Sequence, residues 1–225
     1  MIESWFPHMS NPRMIDELVD CTIDTIVMVM VSAIVSFAIG LVVGVVLTIT
    51  KPDGLHPNHL IFNVLDKAIN IFRSIPFLIL IMILIPATRL IMGTSIGVNG
   101  AIFPLIIGTI PFYARQIESV LSEVDHGLIE ASQAMGCTTI ETIISVMLHE
   151  SIPSIIRVSM ITLVNLIGLT AMAGAVGAGG LGDFAIRYGY QNYQTDSLWI
   201  SLIMILILVS IVQGVGSFLV KKTTH

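Results

Sequence analysis

Charge is scarce in this sequence. Ten lysines and arginines and fifteen aspartates and glutamates make up 11% of 225 residues, where a soluble domain carries about 25%. The formal net charge of -5 excludes the basic footprint that a general nucleic-acid partner requires. There are two cysteines, Cys21 and Cys137. They lie far apart with no metal-ligand spacing, so neither a metal site nor a disulfide between them is expected. No G-x-x-x-x-G-K-[ST] occurs, which excludes a P-loop and with it ATP binding of that kind by this chain. HExxH and paired acids within an apolar run are missing too. The first twenty residues are acidic and lack a basic segment followed by an apolar core, so no cleavable signal peptide is expected.

Apolar residues fill the space that charge leaves. They amount to 55% of the chain, and the mean hydropathy is +0.93. A water-soluble protein of this size could not hide so much apolar surface, which makes the bilayer the expected solvent. The chain reads as an all-α integral membrane protein of five spans, at about 23–49, 60–86, 101–121, 143–176 and 197–220. Residues 1–20, with Trp5, Phe6 and four acids against Arg13, read as a short amphipathic or irregular tail. Gly40 and Gly44 form a GxxxG pair in the first span, a pattern that permits close helix contact and also occurs by chance. Thr50–Asn58 is a turn cluster; its His56 and the adjoining His59 lack a carboxylate or thiol partner and read as solvated loop histidines.

The second span is the least regular. Asp66, Lys67, Asn70 and Arg73 interrupt its first half, and charge at membrane depth must face protein, water or the interface. The simplest account starts this helix in the cytoplasmic interface, with Arg73 at its edge or facing a cavity and Pro76 just beyond. With five spans the termini lie on opposite sides. A cytoplasmic carboxyl end places Lys51, Lys67, Arg73, Arg115, Arg157, Lys221 and Lys222 inside, against Arg13, Arg89 and Arg187 outside. That split satisfies the positive-inside bias, with the amino terminus outside.

One polar stretch, Ser122–Pro153, separates the third and fourth spans on the cytoplasmic side. Leu121, Val124, Leu128, Ala131 and Met135 recur at helical spacing and predict one apolar stripe, with Glu123, Glu130 and Gln133 off it. Gly136 ends this helix as a C-terminal glycine does. Thr138 with Glu141 three residues on is a capping-box pattern, so a new helix starts at once. The bland alternative is an ordinary cytoplasmic loop with a surface helix.

EASQAMG at Glu130–Gly136, followed by Leu148, resembles the EAA loop of type I ABC importer permeases, whose pattern is EAA, three residues, Gly, nine residues and I-x-L-P. Glu130, Ala131, Gly136 and Leu148 match, Ser132 stands for the second alanine and Val146 for the isoleucine. His149 occupies the proline position, and Pro153, four residues later, is the candidate for the kink. NIFRSIPF at Asn70–Phe77, GTSIG at Gly93–Gly97 and AMAGAVGAGGLG at Ala171–Gly182 resemble the methionine-import branch of that family. The resemblance covers about residues 22–214, the permease domain, with residues 122–142 as its coupling loop. It leaves residues 1–21 as an extracytoplasmic tail and 215–225 as the end of the last helix and a cytoplasmic tail.

The resemblance implies a homodimer in the bacterial cytoplasmic membrane, surrounded by lipid. Its implied partners are two ATP-binding cassette subunits and an extracytoplasmic methionine-binding lipoprotein. ATP and Mg are then held by the partner ATPase and no cofactor by this chain, which is a transport subunit rather than an enzyme. It would carry L-methionine and D-methionine or analogues. Thr162, Asn165, Thr170 and Met172 are pore or gate candidates on the fourth span, although Thr and Asn also act as helix–helix glue. Arg73, Pro76 and Pro153 are structural candidates on the cytoplasmic side. Three alternatives stay open: a permease for another amino acid or small polar solute, a secondary transporter, and an oxidoreductase using the literal G-x-G-x-x-G of Gly177–Gly182. That last motif lacks the expected strand before it.

Overall fold

A computed structural model describes residues 11–223. The amino-terminal tail expected for residues 1–20 therefore lies partly outside the described residues. From Pro12 the chain is helical, so residues 12–21 are the first turns of α1 rather than an irregular tail. All regular structure among the described residues is helical: α1 (Pro12–Thr50), α2 (His59–Ser74), α3 (Phe77–Ile83), α4 (Ile85–Met92), α5 (Gly97–Leu121), α6 (His126–Ala134), α7 (Thr139–Thr142), α8 (Ile152–Gly174), α9 (Gly180–Phe184) and α10 (Thr195–Thr223). Two π-helical segments, Ile143–Leu148 and Ala185–Gln191, follow α7 and α9 directly. Among the described residues four helices, α1, α5, α8 and α10, are long and apolar enough to cross a membrane.

The span expected at 60–86 is not one helix. Pro76 has no N–H to bond the carbonyl of Phe72, and its ring drives Ile75 out of the α region, so α2 ends at Ser74 and α3 starts at Phe77. Leu84 then separates α3 from α4, where Pro86 occupies the first turn. The polar residues that disturbed this stretch have a use. Asp66 and Asn70 of α2 meet the guanidinium of Arg115 on α5, which also pairs with Glu118 at 3.4 Å. The Asp66 and Arg115 charges thus face protein, as their cost in an apolar medium requires, while Lys67 and Arg73 are exposed.

The chain divides into two compact units. Unit one comprises residues up to 35, 75–109 and 163–213. Its core joins Cys21, Leu181 and Phe184. The glycine-rich segment after α8 folds onto α1, where the Leu181 N–H donates to Thr25 Oγ1 at 2.9 Å. This contact needs small residues: a Cβ on Gly180 would lie 2.7 Å from Thr25 Oγ1. Arg187 bonds Asp183 and Glu17, fixing the second π-helical segment against α1. The glycine run thus lies between two helices, packed against a third.

Unit two comprises residues 36–74, 110–162 and those from 214 on. Its core is built on Tyr113, Ile117, Val120, Leu121, Met147 and Val158. The glycine pair of α1 serves close packing: a Cβ on Gly44 would fall 2.7 Å from the Ala114 carbonyl oxygen and from Ile117 Cβ. Beside it Phe37 stacks on Tyr113 with ring centroids 4.4 Å apart. The Tyr113 hydroxyl meets Ser159 Oγ at 2.8 Å, which ties α8 to the same cluster. All seven cations expected on the inner side fall in unit two, and the three expected outside fall in unit one.

Candidate functional site

The polar stretch after α5 folds as a helix, a glycine turn and a second helix. It is not, however, one continuous apolar stripe. The chain leaves α5 at Leu121, and α6 starts afresh at His126, where Asp125 caps it by accepting the Gly127 N–H at 2.7 Å. This break resets the helical phase. Leu121 is buried, whereas Leu128 and Met135 are 45% and 78% exposed and Ala131 is exposed with them. The inner face of α6 belongs instead to Ile129, packed on the core of unit two, and to Ser132.

Gly136 takes φ +85°, a left-handed conformation that costs an L-residue roughly 1–2 kcal/mol. The Cys137 N–H donates to the Ser132 carbonyl at 3.2 Å and the Gly136 N–H to that of Gln133 at 3.0 Å. These two bonds close the helix end in a Schellman motif. Two residues later Thr138 starts α7 with a reciprocal capping box. Its N–H donates to Glu141 Oε2 at 2.7 Å, and the Glu141 N–H returns to Thr138 Oγ1 at 3.4 Å. The Thr138 backbone N–H, followed by its hydroxyl, holds the Glu141 carboxyl below its ordinary value. The two arms are joined by Ser132 Oγ and Thr142 Oγ1 at 3.0 Å, both buried. Sequence reasoning placed Ser132 in the motif only as a replacement for alanine; its hydroxyl partner, ten residues away, had no local signal.

Beyond the elbow, the π-helical segment carries Leu148 onto the core of unit two. His149 remains helical, and Ser151 keeps both of its ladder bonds, its N–H to the Met147 carbonyl at 3.2 Å and the Ile155 N–H to its own carbonyl at 2.8 Å. Pro153, in the first turn of α8, has no N–H for the His149 carbonyl. The break therefore lies beside Pro153 rather than at His149. Exposed on the elbow are Glu130, Leu128 and Ala131 of α6, Met135 at its end, and Ile140 and Ile144, 69% and 59% exposed, on the second arm. Exposed apolar side chains of this size suit a partner protein.

The remaining candidates separate into two groups. Thr162 is buried and donates to the Val158 carbonyl, and Thr170 is buried and donates to that of Ile167, each at 2.7 Å. These hydroxyls are satisfied within their own helix. Asn165 and Met172 are exposed and share a face of α8 with Gly168. Arg73 is exposed in the last turn of α2, where a cation complements the helix dipole. Pro76 starts α3. Among the described residues no group of three His, Cys, Asp or Glu could hold a metal, and both cysteines are free, Cys21 buried and Cys137 exposed.

A set of long apolar helices carrying a capped, outward-facing elbow is the build of a polytopic membrane component of a transport system. Residues 36–225 match the family described as binding-protein-dependent transport system inner membrane component, and the chain belongs to that family. It is 46% identical over 179 residues, 80% of each chain, to the probable D-methionine transport system permease protein MetI of Vibrio cholerae serotype O1. It is 41% identical over 219 residues, 97% of each chain, to the methionine import system permease protein MetP of Bacillus subtilis strain 168. A chain of the MetNI methionine ABC transporter, solved in inward-facing conformations, is 43% identical with a TM-score of 0.93, over 96% of this chain and all of that one. The fold is the all-helical type I ABC permease fold, and the chain is a transport component rather than an enzyme.

Proposed function

We propose that this chain is the permease subunit of an ATP-driven methionine importer, switched between inward-open and outward-open states by a separate ATPase. The carrying observation is the elbow of residues 122–142, with α6 capped at both ends, α7 capped at its start, the two joined by Ser132 and Thr142, and Glu130 and apolar side chains exposed. Only a body that makes different contacts in two states can shift a conformational equilibrium, and a rigid elbow transmits a push that a floppy loop would absorb. In this reading Glu130 meets a basic group of the ATPase, Ala131 permits close approach, Ser132 and Gly136 set the elbow, and Leu148 links it to the core. Pro153 supplies the bend that carries the movement into α8. ATP and Mg sit on the ATPase, and this chain holds no cofactor.

Five crossings, with α2 to α4 together making the second, place the amino terminus outside and the carboxyl terminus in the bacterial cytoplasmic membrane's inner aqueous phase. The assignment of all seven inner cations to one unit supports that orientation. Residues 22–214 form the permease domain, flanked by the outer tail and the end of the last helix. Two copies form the pathway, with two ATPase subunits inside, a methionine-binding lipoprotein outside and lipid around them. Asn165 supports the dimer: it is exposed on a spanning helix, and a carboxamide facing hydrocarbon would be left unsatisfied. Asn165 and Met172 face the pathway, while Thr162 and Thr170 shape the helix that carries them. Arg73 and Pro76 fix the cytoplasmic end of the second crossing. L-methionine, D-methionine and close analogues are the cargo.

Co-purification and transport test this together. The detergent-solubilised chain, expressed with its ATPase, should bring that subunit down, and vesicles holding both should take up labelled methionine only with ATP. Uptake that persists without ATP and without a bound ATPase would favour a secondary transporter.

A further inference from the structure

The loop between α1 and α2 touches the elbow at both of its ends. Lys51 Nζ donates to Ser122 Oγ at 3.1 Å, one residue past α5, and Ser122 Oγ donates in turn to the Glu118 carbonyl at 2.7 Å. His56 Nε2 lies 2.8 Å from Thr139 Oγ1, on the first residue of α7. Beside the first of these contacts is a polar cleft of about 200 Å³ whose walls include Lys51, Ser122, Asp53, His126, Glu130 and Gln133. Its floor is Leu121 and Met147, both buried in the core of unit two.

The loop is also a stiff continuation of α1. The His56 N–H donates to the Ile49 carbonyl and the Asn58 N–H to that of Thr50, both at 2.9 Å, and Lys51 pairs with Asp53 at 3.7 Å. Leu55 packs against the core that receives Ile129 and Leu148 of the elbow. A histidine that the sequence reads as solvated is thus held by its backbone to one spanning helix and by its ring to the candidate lever.

We propose that residues 51–58 are a second bearing for the lever, with Lys51 and His56 as positioning residues that carry displacement of α6 and α7 into α1 as well as α8. The proposal rests on the reading of residues 122–142 as the coupling element. Each contact is a single side-chain hydrogen bond, the His56 one exposed and the Lys51 one half-buried, and neither alone holds the fold. Placed near the two ends of residues 51–58, the pair fixes the lever's angle relative to α1, and the cleft beside the Lys51 contact is space in which that angle can change. Differential contact of this kind is what couples two sites.

The test is methionine uptake per ATP hydrolysed, measured in proteoliposomes holding this chain with its ATPase, for His56→Ala, Thr139→Val, their double variant and His56→Gln. Uptake per ATP should fall about fivefold or more in either single variant, the lower end of usual coupling factors. The double variant should be no worse than the singles, and His56→Gln should restore most of the loss. ATP hydrolysis and the amount of complex recovered in detergent should stay near those of the unsubstituted chain. Unchanged uptake per ATP, a parallel fall in hydrolysis and uptake, or losses that multiply in the double variant would each overturn the bearing. Absence of ATP-driven uptake in the unsubstituted complex would overturn the coupling reading itself.

Discussion

Ser132 and Thr142 share a hydrogen bond of 3.0 Å across the glycine turn, and both side chains are buried. This contact ties α6 to α7 beside the Gly136 turn. Losing a buried neutral hydrogen bond costs about 1 kcal/mol net. Ser132→Ala and Thr142→Val should therefore each lower the unfolding free energy by about that amount, and the double variant by little more than either. Thermal unfolding in detergent checks it; fully additive losses would mean that the two hydroxyls do not act as a pair.

Helix α1 meets α5 through Gly44, where a Cβ would fall 2.7 Å from Ala114 and Ile117. Overpacking at such a site costs about 1–3 kcal/mol, so Gly44→Val should lower the unfolding temperature and the yield of folded protein. Gly214, with no atom within 4 Å of a built Cβ, should accept alanine with little change. Equal tolerance at both positions would show that the glycine pair has no packing role.

The capping box gives the elbow a pH dependence. Hydrogen bonds from the Thr138 backbone N–H and then its hydroxyl depress the Glu141 pKa below its ordinary 4.5. Because the folded value is the lower one, the cap's contribution is present above the unfolded pKa and is lost as pH falls through the folded value. The gap in unfolding temperature between the unsubstituted chain and Glu141→Ala should be open at pH 7 and close as pH drops below about 4.5. A gap that is the same at both ends would contradict the cap.

Asn165 is a polar side chain on the exposed face of a spanning helix, beside Gly168 and Met172. If it lines the pathway between two copies, Asn165→Leu should cut uptake about tenfold, the effect of one lost hydrogen bond near 1.4 kcal/mol. Stability in detergent should hold or rise, since leucine suits an apolar surroundings better. Unchanged uptake would place Asn165 outside the pathway.

Local chemistry made much of this legible in the sequence. Gly136 and the Thr138–Glu141 pair announced the elbow because capping and left-handed turns depend on residues within four positions of each other. The apolar runs located α1, α5, α8 and α10 for the same reason. The sequence predicts one continuous second span despite Pro76, because the apolar run of Ile75–Ile85 masks a broken ladder. The apolar stripe predicted through Leu121, Leu128 and Met135 crosses a turn that resets its phase, which leaves Leu121 buried and Leu128 and Met135 exposed. Ser132 with Thr142, Asp66 with Arg115 and His56 with Thr139 join residues 10, 49 and 83 positions apart. No periodicity encodes such pairs; they follow from how the helices meet.

The central claim is that the elbow carries force from an ATPase to the membrane helices. Its most direct test is the ratio of methionine taken up to ATP hydrolysed, in proteoliposomes holding this chain with its ATPase, for Gly136→Pro and Glu130→Arg. Proline cannot take the φ of +85° that Gly136 adopts, and arginine reverses the charge offered to the partner. The account predicts that hydrolysis continues in vesicles holding either variant while uptake collapses. Uptake per ATP equal to that of the unsubstituted chain in both variants would contradict it.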